Sequence, residues 1–280
     1  MTLPAAIIWL ASGAFAVPQM AIIIDDLGYN LARAERAMTL PGPPTVAVLP
    51  FATESRVIAD HAHSRGIDVI LHQPMESVRD AHIDPGTLTH AMTPTELVAA
   101  FSAALDSLPG AVGVSNHEGS RLTAEPNAMV LLMLEIKSRG LFFVDSRTTT
   151  ETVALDVARS AGVPSIKRDV FLDNHLEAAA IAAEFDRAVH IARKRGHVVV
   201  IAHPHDVTLD FLERVLPTAD VELTSVKELL RAGVQPALRG FEFERAFVQR
   251  ATDDRAQNGR LSSSRRTVQR LDVREIGDTP

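Results

Sequence analysis

With 280 residues, 46% of them hydrophobic, the chain can bury a full core, and one α/β domain with a tail accounts for the length. A formal charge of −7 argues against nucleic-acid binding as the main task. Cysteine is absent, which excludes a disulfide framework and a thiolate metal site, so any transition metal must be held by His, Asp or Glu.

Residues 1–18 form a signal-like or extension segment. Ala5 to Val17 is largely apolar, and Ala14-Phe15-Ala16 resembles a small-x-small cleavage site. The stretch is too short for a transmembrane span, and no Lys or Arg precedes it. It fits an altered export signal, a cytoplasmic extension, or an element covering the bottom of a barrel. Export is the first reading, and the compartment stays open.

Apolar runs near Met20–Ile24, Thr45–Leu49, Ile67–Leu71, Ala111–Val114, Leu141–Val144, Ser165–Phe171 and His197–Ala202 predict strands, with a weaker one at Val221–Leu223. Helical patterns fall between them. Thr93-Pro94-Thr95-Glu96 has the form of a capping box that opens a helix toward Leu108. Glu125 to Arg139 stops at Gly140, and Leu176 to Arg195 stops at Gly196. Such alternation implies a mainly parallel sheet of buried strands, closed into a barrel. Val78 to Ala91 breaks the rhythm, which predicts a loop near the site. The domain is therefore expected over residues 19–237. Residues 238–280 hold nine Arg against seven acids and read as a weakly basic, mostly disordered tail.

The strand-like runs end in polar residues of the kinds that bind metal or move protons. They end at Asp25-Asp26, His72, Asn116-His117, Asp145-Ser146-Arg147, Arg168-Asp169 and His203-Pro204-His205. In α/β folds the C-terminal strand ends converge on one face, where sites are built. Two adjacent carboxylates repel each other, and a divalent cation relieves this. One carboxylate could instead cap a helix, and a receiver-type magnesium pocket would leave the histidines unexplained. Asp26, His72 and His117 together supply two nitrogens and one carboxylate, leaving coordination positions open. Arg147 or Arg168 could orient a carboxylate or brace an oxyanion, or either could form a structural ion pair. His203 is placed to donate a proton. His205 is expected behind the catalytic groups or at the surface, and His61, His63, His82, His90, His175, His190 and His197 at the surface or in packing.

Six segments in order, Ile23-Ile24-Asp25-Asp26-Leu27-Gly28-Tyr29, Leu71-His72-Gln73-Pro74-Met75, Asn116-His117-Glu118-Gly119-Ser120-Arg121, Phe143-Val144-Asp145-Ser146-Arg147-Thr148, Arg168-Asp169-Val170-Phe171-Leu172-Asp173 and His203-Pro204, match one pattern. This pattern resembles the divergent polysaccharide deacetylase family, distant relatives of the NodB-like carbohydrate esterases. The resemblance implies a distorted (β/α) barrel of about seven parallel strands. It also implies a divalent metal, zinc first, at the C-terminal mouth. Carried over, Asp25 is the general base, and Asp26, His72 and His117 are ligands. His203 is the general acid, and Asp145 and Arg147 support catalysis. Asn116, Ser120, Arg121, Arg168 and Asp169 are expected to contact substrate or surround the catalytic groups. Two departures stand out. Arg121 occupies the place of a second motif histidine, so His72 substitutes, and Ser115 and Glu118 replace the more usual Asn and Met.

The implied activity is metal-assisted removal of an acetyl group from an N-acetylated or O-acetylated sugar, with a carbohydrate or glycan as partner. An alternative is a catalytically silent barrel that binds glycan or envelope partners, although one Trp and one Tyr offer few stacking surfaces. Another metal-dependent amidase or esterase on the same barrel is the third reading.

Overall fold

The computed structural model describes residues 17–79 and 83–234. The signal-like segment up to residue 16, His82 and the 238–280 tail lie outside the described residues. In chain order the first half comprises β1 (Gln19–Leu27), α1 (Leu31–Met38), β2 (Thr45–Val48), α2 (Ser55–Ser64), β3 (Val69–Met75), α3 (Pro94–Asp106), β4 (Gly113–Glu118) and α4 (Pro126–Ser138). The second comprises β5 (Phe142–Asp145), α5 (Ala154–Ala161), β6 (Ser165–Lys167), β7 (Val170–Phe171), α6 (Ala178–Arg195), β8 (His197–Ala202), α7 (Asp206–Val215), β9 (Glu222–Thr224) and α8 (Val226–Arg231).

All strand pairings are parallel, in the order β6-β5-β4-β3-β2-β1-β8-β7, and β9 pairs with the first residues of β1. The two ends of this path are β6 and β7, which only Arg168 and Asp169 separate in sequence. The sheet therefore curls until its ends meet, giving an α/β barrel left unpaired between β6 and β7. The expected strand over Ser165–Phe171 is broken there for a clear reason. Arg168 N–H donates to the Asp145 carbonyl on β5, whereas Asp169 N–H donates to the Val199 carbonyl on β8. The chain changes neighbours within two residues, and the path has eight strands instead of about seven.

Strand alternation sorts the core into two layers. Ile22, Ile24, Val48, Leu71, Val114, Phe143, Val200 and Ala202 face outward onto the helices. Ala21, Ile23, Ala47, Ile70, Phe142, Val144, Ile166, Val199 and Ile201 fill the interior, which Val226 and Leu229 of α8 close from below. The helix signals act as expected. Thr93 and Glu96 form the reciprocal capping box of α3, and Gly196 ends α6 at φ 85°.

Candidate active site

The interior alternation continues past the apolar layer. Asp25 follows Ile23, His72 follows Ile70, and His203, just past the end of β8, follows Ile201, each two residues further along the chain, and all three line the mouth. Asp26 would then point outward, but its backbone is left-handed at φ 58°, and both carboxylates line the same pocket. Glu118 (φ 52°) and Arg147 (φ 56°) show the same inversion on the same pocket. Such conformations cost on the order of 1–3 kcal/mol each and concentrate where a site over-determines them. The pocket measures about 410 Å³ and also includes Asn116, His117, Arg168, Phe171 and Asn174.

At its floor, Asp26, His72 and His117 each present one ligand atom, all within 4.8 Å of one another. His117 Nδ1 lies 2.8 Å and His72 Nε2 3.1 Å from Asp26 Oδ1. That oxygen is buried and makes no hydrogen bond of good geometry, and buried Asp25 Oδ1 has no partner either. Three ligand atoms converging at this spacing fit a divalent cation, and a carboxylate with two imidazoles suits zinc chemistry. The outer nitrogens are fixed in the manner of metal-site histidines: His72 Nδ1 meets Ser115 Oγ at 2.8 Å, and His117 Nε2 meets Asp84 Oδ2 at 3.2 Å.

Electrostatics separate the two carboxylates. Burial pushes the Asp25 carboxyl above its usual range, against the pull of His72, His203 and His117. Burial opposes ionisation of Asp26 as well, but the His117 and His72 contacts outweigh it and hold Asp26 well below the usual range. Across the mouth, His203 Nδ1 pairs with Asp173 Oδ1 at 2.9 Å, and Asp173 Oδ2 accepts the His203 N–H at 2.7 Å and the Thr208 hydroxyl at 2.9 Å. Burial disfavours the imidazolium, but Asp173, Asp25 and Asp26 together push the His203 pKa up to about 9.

The other expected site residues divide. Asn116 lines the pocket and ties β4 to β5, accepting the Ser146 N–H at 2.9 Å and donating to the Glu118 carbonyl at 2.8 Å. Arg168 lines it too, donating to the Ser146 and Arg147 carbonyls and lying 5.0 Å over the Phe171 ring. Asp145 does not line it. Because Phe142 and Val144 face inward, Asp145 faces the helix layer, where it accepts the Arg147 N–H at 2.8 Å and the Thr152 hydroxyl at 3.2 Å. Asp169 also points elsewhere, pairing with Arg195 at 2.8 Å instead of with Arg168. Ser120 accepts the Val78 N–H, and Arg121 faces Glu76 and His90, both away from the pocket. Neither Asp84 nor Asp173 is among the site residues expected from the sequence, although Asp173 closes the Arg168–Asp173 segment that carries the resemblance. Asp84 does lie in the Val78–Ala91 insertion expected near the site.

A sequence model of the divergent polysaccharide deacetylase family matches residues 22–230. The chain belongs to that family. An uncharacterized protein of Haemophilus influenzae is 36% identical over 223 residues, 79% of either chain. The uncharacterized protein YibQ of Escherichia coli K12 is 34% identical over 223 residues, 80% of this chain and 70% of that one. Among solved structures, an uncharacterized protein of Agrobacterium tumefaciens C58 superposes with a TM-score of 0.72 at 24% identity, covering 78% of this chain and 91% of that chain. At that identity the likeness is one of fold. The family match spans every strand end of the pocket, so the deacetylase-type domain and the candidate site coincide.

Proposed function

We propose that this divergent deacetylase is a metal-dependent hydrolase that removes an acetyl group from an N-acetylated or O-acetylated sugar. One observation carries the reading: a buried Asp25 beside the Asp26, His72 and His117 cluster faces an Asp173-braced His203 across one pocket. Asp26, His72 and His117 would hold a divalent cation, zinc by ligand type, which when bound would supply Lewis-acid polarisation of the acyl oxygen and acidify water. Asp25, with an unpartnered oxygen and a pKa raised by burial, takes up the proton of the attacking water. His203, kept protonated by Asp173, delivers a proton to the departing amine or alcohol. Phe171 and Asn174 offer a ring face and an amide to the sugar.

The test is Asp25→Asn with acetate release from acetylated oligosaccharides as the readout. Turnover is expected to fall roughly 10²–10⁴-fold while bound metal is retained. Unchanged turnover would remove Asp25 from the mechanism. Sugar binding without turnover in the parent protein would favour the silent-barrel alternative.

A further inference from the structure

Arg147 is held with unusual care, and inside the protein its guanidinium acts only at a distance, on buried Asp145 and on Arg168. Its N–H donates to Asp145 Oδ1 at 2.8 Å, and its carbonyl accepts from Arg168 Nη2 at 2.9 Å. Asp145 is fully buried, and Arg168 is fastened in turn to the Ser146 carbonyl at 2.7 Å. Between these clamps Arg147 sits at φ 56°, a conformation L-residues rarely adopt. Yet among the described residues its guanidinium makes no hydrogen bond or ion pair, while it lines the pocket. Arg168, its neighbour, also hydrogen-bonds no carboxylate there.

Three acidic groups share the pocket with these arginines: Asp25, Asp26 and Glu118. The first two face the histidines, and Glu118 stands on the β4 lip without pairing to Arg147. A strained, doubly clamped backbone that presents an unpaired guanidinium is preorganised for an anion from outside. The planar fork of arginine matches a carboxylate in two parallel hydrogen bonds. With Glu118 at the end of the adjacent strand β4, its negative charge on the same side of the mouth as Arg147, a monoanion suits the pocket better than a doubly charged phosphate.

Resting on the deacetylase reading, we propose that the substrate is an acidic glycan. Its N-acetylated sugar bears a carboxylate, and Arg147 is the specificity-determining residue that binds it. The former supporting role for Arg147 is thereby replaced by substrate recognition, and Asp145 and Arg168 become the residues that position it.

The experiment compares a chitin oligosaccharide with the same oligosaccharide oxidised to a carboxylate at C6. The acetamide and ring are then constant. The zinc-loaded protein is expected to show kcat/KM for the carboxylated form roughly tenfold or more above the neutral one. In Arg147→Ala that ratio falls toward one, mainly through KM, and Arg147→Lys restores part of it. An equal loss of kcat on both oligosaccharides would assign Arg147 to the oxyanion and overturn the proposal, as would a ratio near one in the parent. Titration calorimetry with Asp25→Asn, which does not rely on turnover, keeps the two readings apart. Arg147-dependent preference for the carboxylated oligosaccharide without hydrolysis in the parent sustains the binding site while sinking the deacetylase reading. No preference in either assay overturns the proposal.

Discussion

Replacing Asp173 by Asn should lower the affinity of His203 for its proton. The His203 side chain is 18% exposed, and its partner Asp173 is fully buried. Its pKa rises from 6.5 to about 9, equivalent to a preference for the imidazolium on the order of 3 kcal/mol. Burial works against that preference. The Asp173 hydrogen bond is the leading contribution in its favour, followed by the charges of Asp25 and Asp26. Asp173→Asn keeps the shape while removing the charge, so the midpoint should fall by at least one pH unit, or about 1.4 kcal/mol. The assay is a histidine-selective ¹⁵N NMR titration of metal-stripped protein, which avoids the added charge of a cation. The sign for stability follows from linkage. A folded pKa above the unfolded value stabilises fully below pH 6.5, and that contribution is lost as pH rises through about 9. Urea unfolding at pH 6 and pH 9.5 should therefore differ less in the variant than in the parent. A parent midpoint near 6.5, or one that Asp173→Asn leaves in place, would refute the reasoning.

Other consequences can be checked separately. Ser115→Ala removes the hydroxyl facing His72 Nδ1 and Asp84→Asn the charge facing His117 Nε2; if these histidines hold metal as proposed, each change should weaken metal binding roughly 10–100-fold, measured by chelator competition. Gly119→Ala should destabilise the fold by about 2 kcal/mol in thermal or urea unfolding. A Cβ there would lie 2.9 Å from Met75 Cβ on the adjacent strand, at φ 86°, where neither backbone can yield. A neutral result would show that the loop after β4 is not held as described.

The strands were legible because a buried parallel strand is a block of apolar residues that stops where solvent or chemistry begins. Asp25, His72 and His203 stood at those stops, and the interior parity of Ile23, Ile70 and Ile201 directs them inward. The same parity, applied to Phe142 and Val144, would have turned Asp145 away from the pocket. Position at a strand end says nothing about facing; alternation does. Asp26, Glu118 and Arg147 escape even that rule, since left-handed backbone at a non-glycine residue leaves no trace in the sequence. Asp84 and Asp173 were hidden for another reason. Asp84 lies 33 residues before His117, and Asp173 lies 30 before His203, so only the closed barrel brings each pair into contact. Splitting of the strand after Lys167 depended likewise on which neighbours the sheet offers at its two ends.

The central claim is that Asp26, His72 and His117 hold a divalent cation at the barrel mouth. Elemental analysis of the purified protein, with Asp26→Ala alongside, tests it most directly. The account predicts about one zinc-like ion per chain, lost in the variant. Failure to retain metal after supplementation with zinc, cobalt, nickel or manganese, or equal metal content in Asp26→Ala, would contradict it.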